Sequence, residues 1–155
     1  MIGDGNGWVS GPGGARLWGR FGAAGLFLVA GNRVLLQHRA PWTASGGTWA
    51  LPGGARDSHE SVQETALREA VEETAIDTAL VRVVDEVVTA GPFESGWSYT
   101  TVIARTRDEE PIETHANEES LELRWVELEK VAELPLLPAF KESLETLLWH
   151  SRSHD

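Results

Sequence analysis

The chain has 155 residues, the size of one ordinary domain with its own core. Its 13 Lys and Arg stand against 24 Asp and Glu, a net charge of −11, which argues against a nucleic-acid polymer or an anionic membrane surface as partner. Without cysteine there is neither a disulfide framework nor a thiolate nucleophile.

Residues 1–19 are rich in glycine ("MIGDGNGWVSGPGG") and aperiodic. They are expected to form a flexible arm, pinned by Trp8 or Trp18. They lack the charged and apolar regions of a signal peptide. No apolar run approaches the ~18 residues of a spanning helix, so a cytoplasmic protein is expected. Ala23–Ala30 is a continuous apolar run and suits a buried strand. Gly31-Asn32 signals a turn into a second strand, Arg33–Arg39, so the two form a hairpin. "APWTASGG" reads as loop, and "TWALPGG" as an approach to a Pro-Gly-Gly turn. After a helix come two strand-like segments rich in β-branched residues, 80–90 and 97–105. A polar connection leads to residues 121–128, which alternate like a half-buried strand. Pro135 and Pro138 precede an amphipathic closing helix at 139–150. Strands outnumber helices and no repeat appears, which gives an α+β class with a mixed sheet.

The helix, within residues 54–76, concentrates acid. Ser61-Val62-Gln63-Glu64 fits a capping box and sets its start. At about 100° per residue, Glu69, Glu72 and Glu73 share an arc of roughly 100°. Val62, Ala66, Leu67, Ala70 and Val71 are expected to face the core. Carboxylates about 4 Å apart repel by roughly 4 kcal/mol at an effective dielectric near 20. Such a face is either solvated and salt-bridged or built for a cation. All-oxygen ligation suits Mg²⁺ or Mn²⁺ rather than zinc, and the five histidines show no zinc spacing.

The wider spacing favours the cation. From Gly54 the order is five residues, Glu60, seven residues, Arg68-Glu69, Ala70, any residue, Glu72-Glu73, any residue, Ala75, Ile76. This resembles the Nudix box, G-x5-E-x7-R-E-U-x-E-E-x-G-U, with U aliphatic. The departure is Ala75, where the family usually has a helix-ending glycine. Alanine adopts that left-handed conformation at a cost of about 1 kcal/mol.

The resemblance implies an α/β/α sandwich around a mixed central sheet over residues 20–150, with a short tail at 151–155. It implies hydrolysis of a nucleoside diphosphate linked to another group. The metal ligands carry over to Glu69, Glu72 and Glu73, with the backbone carbonyl of Gly53 as a further ligand. Glu60 supports the loop or the outer metal shell, and Arg68 orients the carboxylates. Mg²⁺, or Mn²⁺, neutralises phosphate charge and acidifies a water, so no side chain has to be modified covalently. Two residues are candidates for the base: Glu69, and Glu119 in "NEESLELRWV", which has Glu118 beside it.

"WGRFGAAGLFL", "LLQHRA", "GGTWALPGGARDSHES" and "ESLELRWV" most resemble actinobacterial MutT-like proteins, whose described activity is on 8-oxo-dGTP. Cleavage of an oxidised nucleotide to monophosphate and pyrophosphate is therefore the leading expectation. Phe27, Trp97, Tyr99 and Trp42 are candidates to stack on a base, and Arg39 and Arg20 to meet phosphates. The aromatic residues also read as core or surface side chains, and the two arginines as surface salt-bridge partners. Pro92, sixteen residues past the box, keeps ADP-ribose or a nucleotide sugar as the alternative substrate. A nucleotide-binding module without turnover is the second alternative. Dimers are common in the family, so a homodimer is a further expectation.

Overall fold

The computed structural model describes residues 3–153. The segment expected as an arm carries a hairpin, β1 (Trp8–Ser10) and β2 (Arg16–Trp18), with Trp8 opposite Trp18. The two indoles meet edge to face, 5.0 Å between centroids. The rest of the chain contributes β3 (Ala23–Ala30), β4 (Arg33–Arg39), β5 (Trp49–Ala50), β6 (Gly53–Ala55), α1 (Val62–Thr74), β7 (Val81–Ala90), β8 (Tyr99–Thr106), β9 (Ser120–Glu127) and α2 (Pro138–Arg152). Met1, Ile2, His154 and Asp155 lie outside the described residues, and Ser151 and Arg152, expected in the tail, form the last turn of α2.

The strands from β3 to β9 make one mixed seven-stranded sheet. β3 lies parallel to β8 along its length, from Ala23↔Tyr99 to Val29↔Arg105. Its other edge is divided. Val29 and Ala30 pair with β4 beside the turn, whereas Ala23 to Gly25 pair with β6. β4 in turn pairs with β9 on one edge and with β5 on the other. The segment 49–55 is thus inserted in the wedge where β3 and β4 diverge. Of the Pro-Gly-Gly turn expected from sequence, Pro52 is a bend between β5 and β6, while Gly53 and Gly54 belong to β6 and pair with β3.

Both faces of the sheet are covered, giving an α/β/α sandwich. β3 is buried throughout because alternate residues serve different cores. Ala24, Leu26 and Leu28 pack with Val102, Ala104 and the α1 residues Ala66 and Ala70. Phe27 and Val29 pack with Ile103 and the α2 residues Phe140, Leu144 and Leu147. Burying each such large side chain contributes about 1.5–3 kcal/mol. The core stripe of α1 loses one expected residue and gains three. Val71 is exposed, and Thr65, Glu73 and Thr74 are buried instead. The stripe therefore turns toward the side that carries Glu73.

Among the described residues no helix is long and apolar enough to cross a membrane.

Candidate active site

α1 is set by its own sequence. Ser61 Oγ accepts the Glu64 N–H and the Glu64 carboxylate accepts the Ser61 N–H, a complete capping box. The helix ends at Ala75, which adopts the left-handed conformation at φ 60° and donates its N–H to Val71 O. Ala75 thus performs the helix-ending role without glycine's freedom.

The acidic residues fall into two groups. Glu60 and Arg68 form a closed pair: Arg68 Nε donates to Glu60 Oε2 at 2.6 Å and Nη2 to Oε1 at 2.9 Å. Glu60 Oε1 also accepts the Asp57 N–H and the Thr65 hydroxyl. The Arg68 guanidinium holds the Glu60 carboxyl down at about 2, and Glu60 raises the Arg68 pKa in return. Arg68 then reaches Glu69 Oε1 at 2.9 Å, Glu72 Oε1 at 3.4 Å and Ala55 O at 3.0 Å. One guanidinium therefore fixes the loop before α1 to two of the box carboxylates.

Glu69, Glu72 and Glu73 form the second group, graded in burial. Glu73 is buried, Glu69 half-buried and Glu72 exposed. Glu73 Oε2 accepts the Gly53 N–H at 2.9 Å, so the strand in the wedge seats this carboxylate. Burial, reinforced by the Glu69 charge, pushes the Glu73 carboxyl up to about 8. Burial, with Glu72 next to it, raises Glu69 as well. Gly54 leaves room for Glu69, since a Cβ there would stand 2.5 Å from its carboxyl carbon. Glu119, on the loop before β9, adds its charge to both Glu69 and Glu73. That loop is tied to α1, because Asn117 Nδ2 donates to Glu72 O at 3.2 Å and Asn117 Oδ1 accepts the Glu119 N–H.

These donors fit a divalent cation. All are hard oxygens, they share one face beside Gly53, and their mutual repulsion is relieved by positive charge. Glu69, Glu72 and Glu73 do not converge to within 4.8 Å of one another, whereas Asp57, His59 and Glu60 do. The latter three are a poorer fit, because the Glu60 oxygens are committed to Arg68, Thr65 and a backbone N–H, and Asp57 Oδ1 accepts the Gly5 N–H at 2.8 Å.

The substrate-contact candidates separate. Arg39 is drawn in: its charge acts on both Glu73 and the Tyr99 hydroxyl, and its Nε donates to Ala44 O at 2.9 Å. The β4–β9 register shifts between His38 and Arg39, an irregularity of the kind that re-aims a side chain. Tyr99 lies on the α2 face, its hydroxyl over Gly25, with burial raising its pKa. Tyr99 and Trp97 line a mostly apolar cavity of about 200 Å³ with Leu51, Thr101, Leu137 and Phe140. Phe27 does not join them. It is fully buried among Val29, Ile103 and the α2 side chains and offers no ring face to a ligand. Arg20 lies apart on the surface, its stem against Gly7 and its guanidinium over Phe21 at 5.8 Å. Trp42 is largely exposed in the loop after β4. Asp57, Thr65 and Asn117 were not singled out from sequence. Asp57 and Asn117 meet partners about fifty residues away in sequence, Gly5 and Glu72, which no local spacing signals, and Thr65 bonds to Glu60 just before the helix.

Three comparisons agree. Residues 19–148 match the family model described as NUDIX domain. A Mycobacterium tuberculosis protein named "Putative 8-oxo-dGTP diphosphatase 3" is 50% identical over 94% of this chain and 70% of its own length. A Bifidobacterium longum protein, a "Nucleoside triphosphate pyrophosphatase/Nudix hydrolase fusion protein", is 42% identical over 88% of this chain and 30% of its own. The crystal structure of a Nudix hydrolase from M. smegmatis, RenU, superposes with a TM-score of 0.91 at 48% identity. It covers 97% of this chain and 98% of its own.

Proposed function

The chain belongs to the Nudix hydrolase family, and on that premise we propose that it cleaves an oxidised purine nucleoside triphosphate, such as 8-oxo-dGTP, to the monophosphate and pyrophosphate. The observation that carries this reading is the seat of Glu73 on the Gly53 N–H beside Glu69, within reach of the Arg39 and Glu119 charges. Half-identity to the M. tuberculosis protein over most of the chain supports the choice of substrate.

Glu69, Glu72 and Glu73 would hold Mg²⁺, with Mn²⁺ as a substitute and the Gly53 carbonyl as a further ligand. Bound there, the cation supplies charge neutralisation for the phosphates and acidification of a water. Arg68 orients Glu69 and Glu72 while its own position is fixed by Glu60. Glu119 takes up the proton from the attacking water, with Glu69 as the other candidate. Arg39 balances charge on the phosphates, and the Trp97 and Tyr99 rings give the base an apolar wall.

A Mg²⁺-dependent turnover panel tests this, with 8-oxo-dGTP, 8-oxo-dGDP, canonical dNTPs, ADP-ribose and nucleotide sugars. The expected result is preference for 8-oxo-dGTP with monophosphate and pyrophosphate as products. AMP from ADP-ribose as the dominant product would overturn the substrate assignment and leave the hydrolase class intact.

A further inference from the structure

Residues 3–7 precede the matched domain, yet they lie against the loop between β6 and α1. The Gly5 N–H donates to Asp57 Oδ1 at 2.8 Å in a buried contact. Asp57 Oδ2 faces Arg68 Nη2 at 3.6 Å. Next to it, Asp4 accepts both the N–H and the hydroxyl of Ser58. The segment is held from behind by its own backbone, with Arg20 N–H donating to Gly5 O and Gly19 N–H to Gly7 O. A side chain at position 5 has no room, since a Cβ would fall 2.0 Å from Arg56 O. At its far end the hairpin touches the cavity, where Trp97 Nε1 donates to Trp18 O at 3.2 Å.

We propose that the segment Gly3–Gly7 is a strap that positions the metal-binding carboxylates, with Asp57 as the positioning residue through which it acts. The chain of contacts runs from Gly5 to Asp57, to Arg68, and from Arg68 to Glu69 and Glu72. Asp57 occupies a position that the Nudix box leaves open, so the motif does not require it. Small displacements are costly at such a site: a shift of about 1 Å in a catalytic group lowers turnover by up to about a hundred-fold. The inference rests on the proposed metal site. Its test therefore includes Mn²⁺ binding without nucleotide.

Three variants of the full chain separate the strap from general stability. Gly5→Ala unseats the strap, and Asp57→Ala removes the acceptor. Asp57→Asn keeps an oxygen for the Gly5 N–H. Mn²⁺ affinity, measured by titration calorimetry, should weaken about tenfold in the first two variants and recover partway in the third. With nucleotide, kcat should fall about tenfold or more while KM stays within about twofold. Arg16→Ala, which removes only the guanidinium 4.8 Å over the Trp8 ring, should change neither quantity. Wild-type Mn²⁺ affinity in Gly5→Ala and Asp57→Ala, with only a lowered melting temperature, would overturn the strap. A wild type that binds Mn²⁺ but hydrolyses no nucleotide would defeat the proposed function instead, and the Mn²⁺ titrations would still decide the strap.

Discussion

Glu60 and Arg68, eight residues apart, form a two-point ion pair in which both guanidinium contacts are 2.9 Å or shorter. The pair joins the end of the loop to the helix that carries the remaining carboxylates. Two-point geometry fixes orientation as well as distance, which one contact cannot do.

Glu60→Gln should loosen that joint. The expected destabilisation is about 2 kcal/mol, below the ~3–5 of a fully buried pair because Arg68 is about a third exposed. The folded-state pKa of Glu60 is depressed to about 2. Its stabilising contribution is therefore complete above the ordinary carboxylate range and fades as pH falls through that range toward 2. Melting temperatures of the wild type and Glu60→Gln should differ at pH 6 and converge on acidification. A constant gap down to pH 2 would show that the carboxylate charge is not what stabilises the loop.

Glu73→Gln should trade stability against function. Without a cation, burial and the Glu69 charge push the Glu73 carboxyl up to about 8, so folding at neutral pH has to protonate it, and glutamine, which avoids that cost, should raise the melting temperature. The scale is about 2–4 °C per kcal/mol for a chain of this size. The same change should abolish the rise in melting temperature on adding Mg²⁺ and lower turnover by about two orders of magnitude. Unchanged Mg²⁺-dependent turnover would remove Glu73 from the ligand set.

Glu119 and Glu69 can be told apart as base. If Glu119 accepts the proton, Glu119→Gln should lower kcat about a hundred-fold and leave Mn²⁺ affinity within about twofold. Glu69→Gln should weaken both. Loss of Mn²⁺ affinity in Glu119→Gln would make it a ligand rather than a base.

Ala75→Gly should stabilise the protein by up to about 1 kcal/mol, because glycine adopts the left-handed φ of 60° without the Cβ clash. Calorimetry should show a higher melting temperature with kcat unchanged. A lower one would mean that the entropy glycine gains in the unfolded chain outweighs the strain relieved at the helix end.

Although the left-handed φ of Ala75 is seen only in the structure, the sequence by itself determined α1, its capping box and the shared face of Glu69, Glu72 and Glu73. These depend on contacts one turn apart, which a period of 3.6 residues encodes. It also determined the cores of β3, β4, β7, β8 and β9, because continuous apolar or β-branched runs are their own signal. The tertiary structure alone decided what lies opposite. It buried Glu73 against Gly53, twenty residues away, and left Glu72 exposed. It placed Phe27 in the core and Tyr99 on the cavity wall, although both lie on the α2 face of the sheet. It carried Gly5 across 52 residues to Asp57. Periodicity reports which residues share a face. Which face meets which is set by long-range pairing, here the parallel β3–β8 register and the wedge that admits β5 and β6.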